Sequence, residues 1–74
     1  MELKYRIILH PAPEGGYTVT VPSLPGCITE GDTFEEAVAM AKDAIEGFIE
    51  DMKENNEPIP DDSNNLEYSI HLVA

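Results

Sequence analysis

Basic residues are scarce in this chain: four Lys and Arg stand against fifteen Asp and Glu in 74 residues, for a formal net charge of −11. Such a field repels phosphate backbones, so nucleic-acid binding by the isolated chain is disfavoured and cationic partners are favoured. Cysteine is nearly absent. Cys27 is the single one; it has no partner for an intrachain disulfide, no histidine near it in sequence, and reads as a small buried residue after a turn. No N-terminal basic-then-apolar signal and no apolar run of membrane length is present, so the cytoplasm is the expected compartment. A Gly-rich phosphate loop, zinc-ligand spacing and a nucleophile elbow are all missing, and no cofactor or metal is expected. Nothing resembles a repeat or a linker. Residues 1–74 read as one domain, near the lower size limit at which an apolar core stabilises itself, and oligomerisation is a natural supplement.

What the chain does have is periodicity. Leu3, Tyr5, Ile7 and Leu9 alternate with Lys4, Arg6, Ile8 and His10, the period of a strand with one buried face. The Pro11-Ala12-Pro13-Glu14-Gly15-Gly16 segment turns the chain, and Tyr17, Val19 and Val21 alternate with Thr18 and Thr20 in a second, antiparallel strand. Pro25-Gly26 suits the central positions of a type II turn, because proline presets φ and glycine accepts a positive φ at the next position. Residues 27–30 form a third short strand. Asp32 or Thr33 can cap a helix, paired with Glu35 or Glu36 as alternative capping boxes. From Phe34 apolar residues recur at three- and four-residue steps through Ala37, Val38, Ala41, Ala44, Ile45, Phe48, Ile49 and Met52, predicting about six turns of helix with one buried face. Asn55-Asn56 and Pro58-Ile59-Pro60 end it. Asp61-Asp62-Ser63-Asn64-Asn65 reads as a solvated loop. Leu66, Tyr68, Ile70 and Leu72 alternate with Glu67, Ser69, His71 and Val73 as a last strand, which needs a partner in its own sheet or in a second chain. The expected fold is α+β in two layers: an antiparallel sheet of three to four strands with one long helix on one face, in the order β-β-β-α-β.

The pattern P-x-L-P-G-C-x-T-x-G-x-T-x-E-E-A at residues 22–37, with the hairpin before it and the helix after it, resembles the HicB-like antitoxin family over residues 17–49. The resemblance implies a small, degraded ribonuclease-H-like domain that neutralises a small basic RNA-cleaving toxin of the HicA type by binding it. Many members carry a C-terminal DNA-binding segment for which this chain has no room, so DNA binding is doubtful here.

Four carboxylates define the candidate partner-binding site. Glu36, Asp43, Glu50 and Glu54 share one outward meridian of the helix with Met40 and Gly47 and have almost no basic partner, Lys53 beside Glu50 offsetting part of the charge. Like charges at these spacings destabilise a helix by roughly 0.2–0.5 kcal/mol per pair, and the acids of the last turns oppose the macrodipole. Such a stripe is either a solvated face that keeps the protein soluble or the docking site of a cationic partner. A sheet covered on one side leaves an open face expected to carry Lys4, Arg6, Ile8, His10, Thr18, Thr20, Ser69 and His71. This face supports the alternative reading, an orphan oligomeric domain that binds RNA or a small ligand there, although it lacks stacking aromatics. His10 and His71 as an acid–base pair would define a third reading, a metal-free nuclease. The strand interiors offer no converging carboxylates for metal-assisted cleavage, and an enzyme is not expected. The commitment is to a binding protein that occludes a basic toxin and assembles as a homodimer or higher oligomer.

Overall fold

A computed structural model describes residues 2–74, Met1 lying outside the described residues. The chain runs β1 (Ile8–Pro11), β2 (Tyr17–Thr20), β3 (Ile28–Gly31) and α1 (Phe34–Glu54). The strands form one antiparallel sheet in the order β1-β2-β3. Leu9 pairs with Val19 and Val19 with Thr29, so these three face the same side. Ile8, His10, Thr18, Thr20, Ile28 and Glu30 therefore face the other. The helix packs on β3 and, less closely, on β2. This is the expected α+β layering, with the first strand beginning at Ile8 rather than Leu3.

Small side chains permit the close fit of helix to sheet. Ala37 and Ala41 are buried against Val19, with Ile7, Leu9 and Tyr17 around them. A second cluster of Val21, Leu24 and Cys27 meets Ala44, Ile45, Phe48 and Met52 from later turns. The turn that delivers Leu24 and Cys27 to this cluster is the expected one: the Cys27 N–H donates to the Leu24 carbonyl at 2.9 Å, and Gly26 has φ 91°. Of the two capping boxes, the structure uses Thr33 with Glu36. Thr33 Oγ1 accepts from the Glu36 N–H at 3.1 Å, and the Glu36 carboxylate accepts from the Asp32 N–H at 3.1 Å. At the other end the Glu57 N–H closes back on the Met52 carbonyl at 2.9 Å, while Asn56 takes φ 55°, a left-handed residue past the helix terminus.

Two sequence expectations are corrected. The segment expected as a last strand, residues 66–73, has no regular structure, and its apolar side chains are 74–97% exposed. Alternation alone makes a segment eligible for a sheet; pairing requires an edge within reach, and this segment departs from the sheet end without joining one. Residues 61–65 are a solvated loop only in part: Ser63, Asn64 and Asn65 are exposed, whereas Asp62 is not. Asp62 is 1% exposed and accepts from the Arg6 N–H at 2.8 Å, the Ser23 hydroxyl at 2.5 Å and the Asn65 amide at 2.9 Å. The Arg6 guanidinium lies at 3.4 Å. Beside it, the Asp62 N–H donates to the Lys4 carbonyl at 2.7 Å, and Tyr5 donates its hydroxyl to the Pro60 carbonyl at 2.5 Å. One carboxylate thus joins the N-terminal arm, the turn before β3 and the loop after the helix. A run of acidic and amide residues disguises this anchor, because composition does not distinguish a carboxylate facing water from one facing three donors.

Gly31 ends β3 against the first turn of α1, where an added Cβ would lie 2.5 Å from the Ala37 nitrogen and 2.6 Å from its Cα. Gly31→Ala should cost roughly 1–3 kcal/mol, the range for forcing volume into a packed site. An unchanged thermal midpoint would show that the helix can lift without cost.

The Arg6 N–H, then the Ser23 hydroxyl and the Asn65 amide, hold the Asp62 carboxyl well below the usual carboxylate range. A depressed folded-state pKa contributes stability that is complete above the unfolded value of about 3.9 and is lost as pH falls through the folded value. Unfolding midpoints should therefore decline as the medium is acidified below about pH 4. Asp62→Asn should be less stable at neutral pH and show a shallower acid decline; an acid limb of identical slope would assign that decline to other groups.

Candidate partner-binding face

The helix presents the four predicted carboxylates together. Glu36, Asp43, Glu50 and Glu54 are all exposed, as are Met40 and Gly47 between them, because the buried Ala37 and Ala41 occupy the opposite side of the helix. Among the described residues, both ion pairs within 4 Å belong to Arg6, one to Asp62 and one at 3.8 Å to Glu67. Among the described residues the helix acids thus have no salt-bridge partner, and the two helix lysines, Lys42 and Lys53, form no bridge with them. Glu36 differs from the other three in having a structural duty, since its carboxylate is held by the Asp32 N–H. Gly47 has open space around a built Cβ within 4 Å, so nothing within the chain requires a glycine there.

The acidic surface extends past the helix in a way the periodicity did not signal. An open cleft of about 420 Å³ lies between the β1–β2 turn, the end of β3 and the first helical turns, and Glu14, Glu30, Asp32 and Glu36 stand around it with Tyr17 and Met40. These residues come from three separate segments. Their juxtaposition depends on the register that sets Tyr17 opposite Gly31 and Thr18 opposite Glu30, and no spacing rule within one element would have found it.

The open sheet face is less basic than expected. Arg6 is engaged by Asp62 and Glu67, Glu30 stands on the same face, and Ser69 and His71 lie in the unpaired tail. The His10 ring is 3.2 Å from the Thr20 hydroxyl and the structure does not place His71 on the sheet beside it. Besides the exposed Lys4, His10 and Glu30, what remains is apolar and hydroxylic, with Ile8 47% and Ile28 63% exposed. Cys27 is buried, and desolvation pushes its thiol above the ordinary value, which suppresses thiolate chemistry. Among the described residues no three His, Cys, Asp or Glu are grouped closely enough to hold a metal ion, and no helix is long and apolar enough to cross a membrane.

Comparison with known proteins gives this face a context. Residues 5–72 match the family described as the HicB-like antitoxin of bacterial toxin–antitoxin systems. The UPF0150 protein Ta0767 of Thermoplasma acidophilum is 45% identical over 93% of this chain and 99% of its own length. Antitoxin HicB 1 of Photorhabdus laumondii is 47% identical over 78% of this chain, and Antitoxin HicB of Escherichia coli K12 is 38% identical over 95%. The matched regions span 37% and 52% of those two antitoxins. A match across nearly the whole chain, on the turn, capping box and helix that build the acidic face, shows that this chain belongs to the HicB-like antitoxin family.

Proposed function

We propose that the chain acts as the antitoxin of a toxin–antitoxin pair and silences a small, basic, HicA-type RNA-cleaving toxin by covering it, with no catalysis of its own. The supporting observation is the helix face of Glu36, Asp43, Glu50 and Glu54, exposed and without basic partners on a protein of net charge −11. A ribonuclease must attract a phosphate backbone, so its working surface is cationic, and an unneutralised acidic face competes for the same surface. Occlusion requires complementarity and no chemistry from the antitoxin. The acidic cleft around Glu14, Glu30 and Asp32 extends the available negative surface toward the sheet.

The experiment pairs the chain with a candidate toxin, the product of a short basic reading frame beside its gene. Toxin alone should degrade RNA, the mixture should not, and the chain alone with magnesium should leave total RNA intact. Cleavage by the chain that disappears in His10→Ala or His71→Ala would overturn the proposal in favour of an enzyme. Asp43→Lys, Glu50→Lys and Glu54→Lys together should slow association at low salt by about tenfold or more, with much less effect at high salt, where steering is screened. Glu36 is left intact because it also serves the helix cap. An unchanged low-salt rate would remove this face from the interface.

Gly47 supplies an independent probe of the same face. Gly47→Ala should stabilise the free chain by about 1 kcal/mol, the helix-propensity difference between the two residues. If the toxin packs closely at this point, the same change should weaken the complex; equal toxin affinity would place Gly47 outside the contact.

A further inference from the structure

We infer that the pocket at the C-terminal end of α1 is a socket for one arginine side chain of the cationic partner; this rests on the antitoxin reading and names where that partner is anchored. The pocket has a volume of about 370 Å³ and lies between the turn at Pro25, the last turns of the helix and the chain that leaves it. Leu24, Phe48, Met52 and Pro60 give it apolar walls, and Asp51 and Glu57 supply two carboxylates. Contacts outside the pocket hold these walls. The Ser23 hydroxyl is committed to Asp62 at 2.5 Å, and the Pro60 carbonyl accepts from the Tyr5 hydroxyl at 2.5 Å. Asn56, at φ 55°, turns the chain so that the Glu57 N–H reaches the Met52 carbonyl at 2.9 Å. A site fixed before binding loses little freedom when it is filled.

Charge selects the occupant. Asp51 and Glu57 are exposed and have no salt-bridge partner among the described residues. Both stand at the C-terminal end of the helix, where the macrodipole is already negative, so in the free chain they oppose it. A cation relieves both the carboxylates and the dipole, whereas an anion or a purely apolar group relieves neither. A bare metal ion is a poor match, because no three His, Cys, Asp or Glu among the described residues are close enough to hold one. A guanidinium on an aliphatic stem fits the combination. Its stem covers Met52 and Pro60, its plane stacks on the half-buried Phe48 ring, and its N–H groups donate to the two carboxylates. The socket also adjoins the acidic face: Asp51 follows Glu50, and Gly47, one turn before Asp51, leaves the surface between them without a side chain.

The experiment uses the full chain and the candidate toxin. Asp51→Asn with Glu57→Gln removes both carboxylates and leaves the backbone bonds of the helix end in place. It should speed dissociation of the complex by about tenfold or more, and the effect should persist at high salt, because a desolvated pair is screened weakly. Glu35→Gln with Glu46→Gln removes the same charge away from the pocket and should change dissociation by less than about twofold. In an arginine-to-alanine scan of the toxin, one position should have no further effect once Asp51 and Glu57 are neutralised. A dissociation rate equal to that of the Glu35 and Glu46 variant overturns the socket, as does a scan in which every loss adds to that of the pocket pair. In both cases the antitoxin reading stands if the parent chain still protects RNA. A parent chain that does not bind the toxin overturns both.

Discussion

The approach of the first helical turn to Gly31 sets the position of everything on the sheet's helix side. Because the residue ending β3 has no side chain, backbone meets backbone where Ala37 lies over it, and Ala37 and Ala41 bring the helix down onto Val19. The rotation of the helix about its axis is then no longer free. With the alanines facing inward, Asp43, Glu50 and Glu54 must face outward, and the Thr33–Glu36 capping box holds Glu36 at the start of the same face. The acidic surface is in this sense a consequence of a contact on the opposite side of the helix.

The second constraint closes the other end. Asp62 is a buried carboxylate whose cost of burial is met by donors from three segments. Removing any one donor leaves the charge undersupplied, so the N-terminal arm, the turn at Ser23 and the loop at Asn65 hold one another in place. The depressed carboxyl pKa is the electrostatic expression of that arrangement. It also fixes the start of the last segment beside Lys4 and Arg6.

These two constraints divide the molecule into surfaces with different chemistry. The outward helix face and the adjoining cleft are acidic and suited to a cationic partner recruited by charge. The groove between the helix and residues 3–7 is largely apolar, with Lys42 and Glu46 at its margin. The open sheet face retains only a modest apolar and hydroxyl character once Arg6 is committed to Asp62 and Glu67. Charge steering acts on rates and is screened by salt, whereas apolar burial is little affected by it.

Local rules determined the three-stranded sheet, the helix beginning at Phe34, the turn at Pro25-Gly26 and the exposed carboxylate stripe, because each rests on periodicity or on a turn residue whose backbone preference acts within a few residues. The family was legible for the same reason, its pattern being written along one short stretch, and only the extent of the match came from comparison. Sequence left open which capping box forms, and the structure selected Thr33 with Glu36. Tertiary contacts alone decided that Asp62 is an anchor rather than loop solvent, that Glu14, Glu30 and Asp32 gather beside Glu36, and that residues 66–73 stand outside the sheet. In each of these cases the outcome depends on which distant segment arrives alongside, and alternation or charge along the chain carries no information about the arrival.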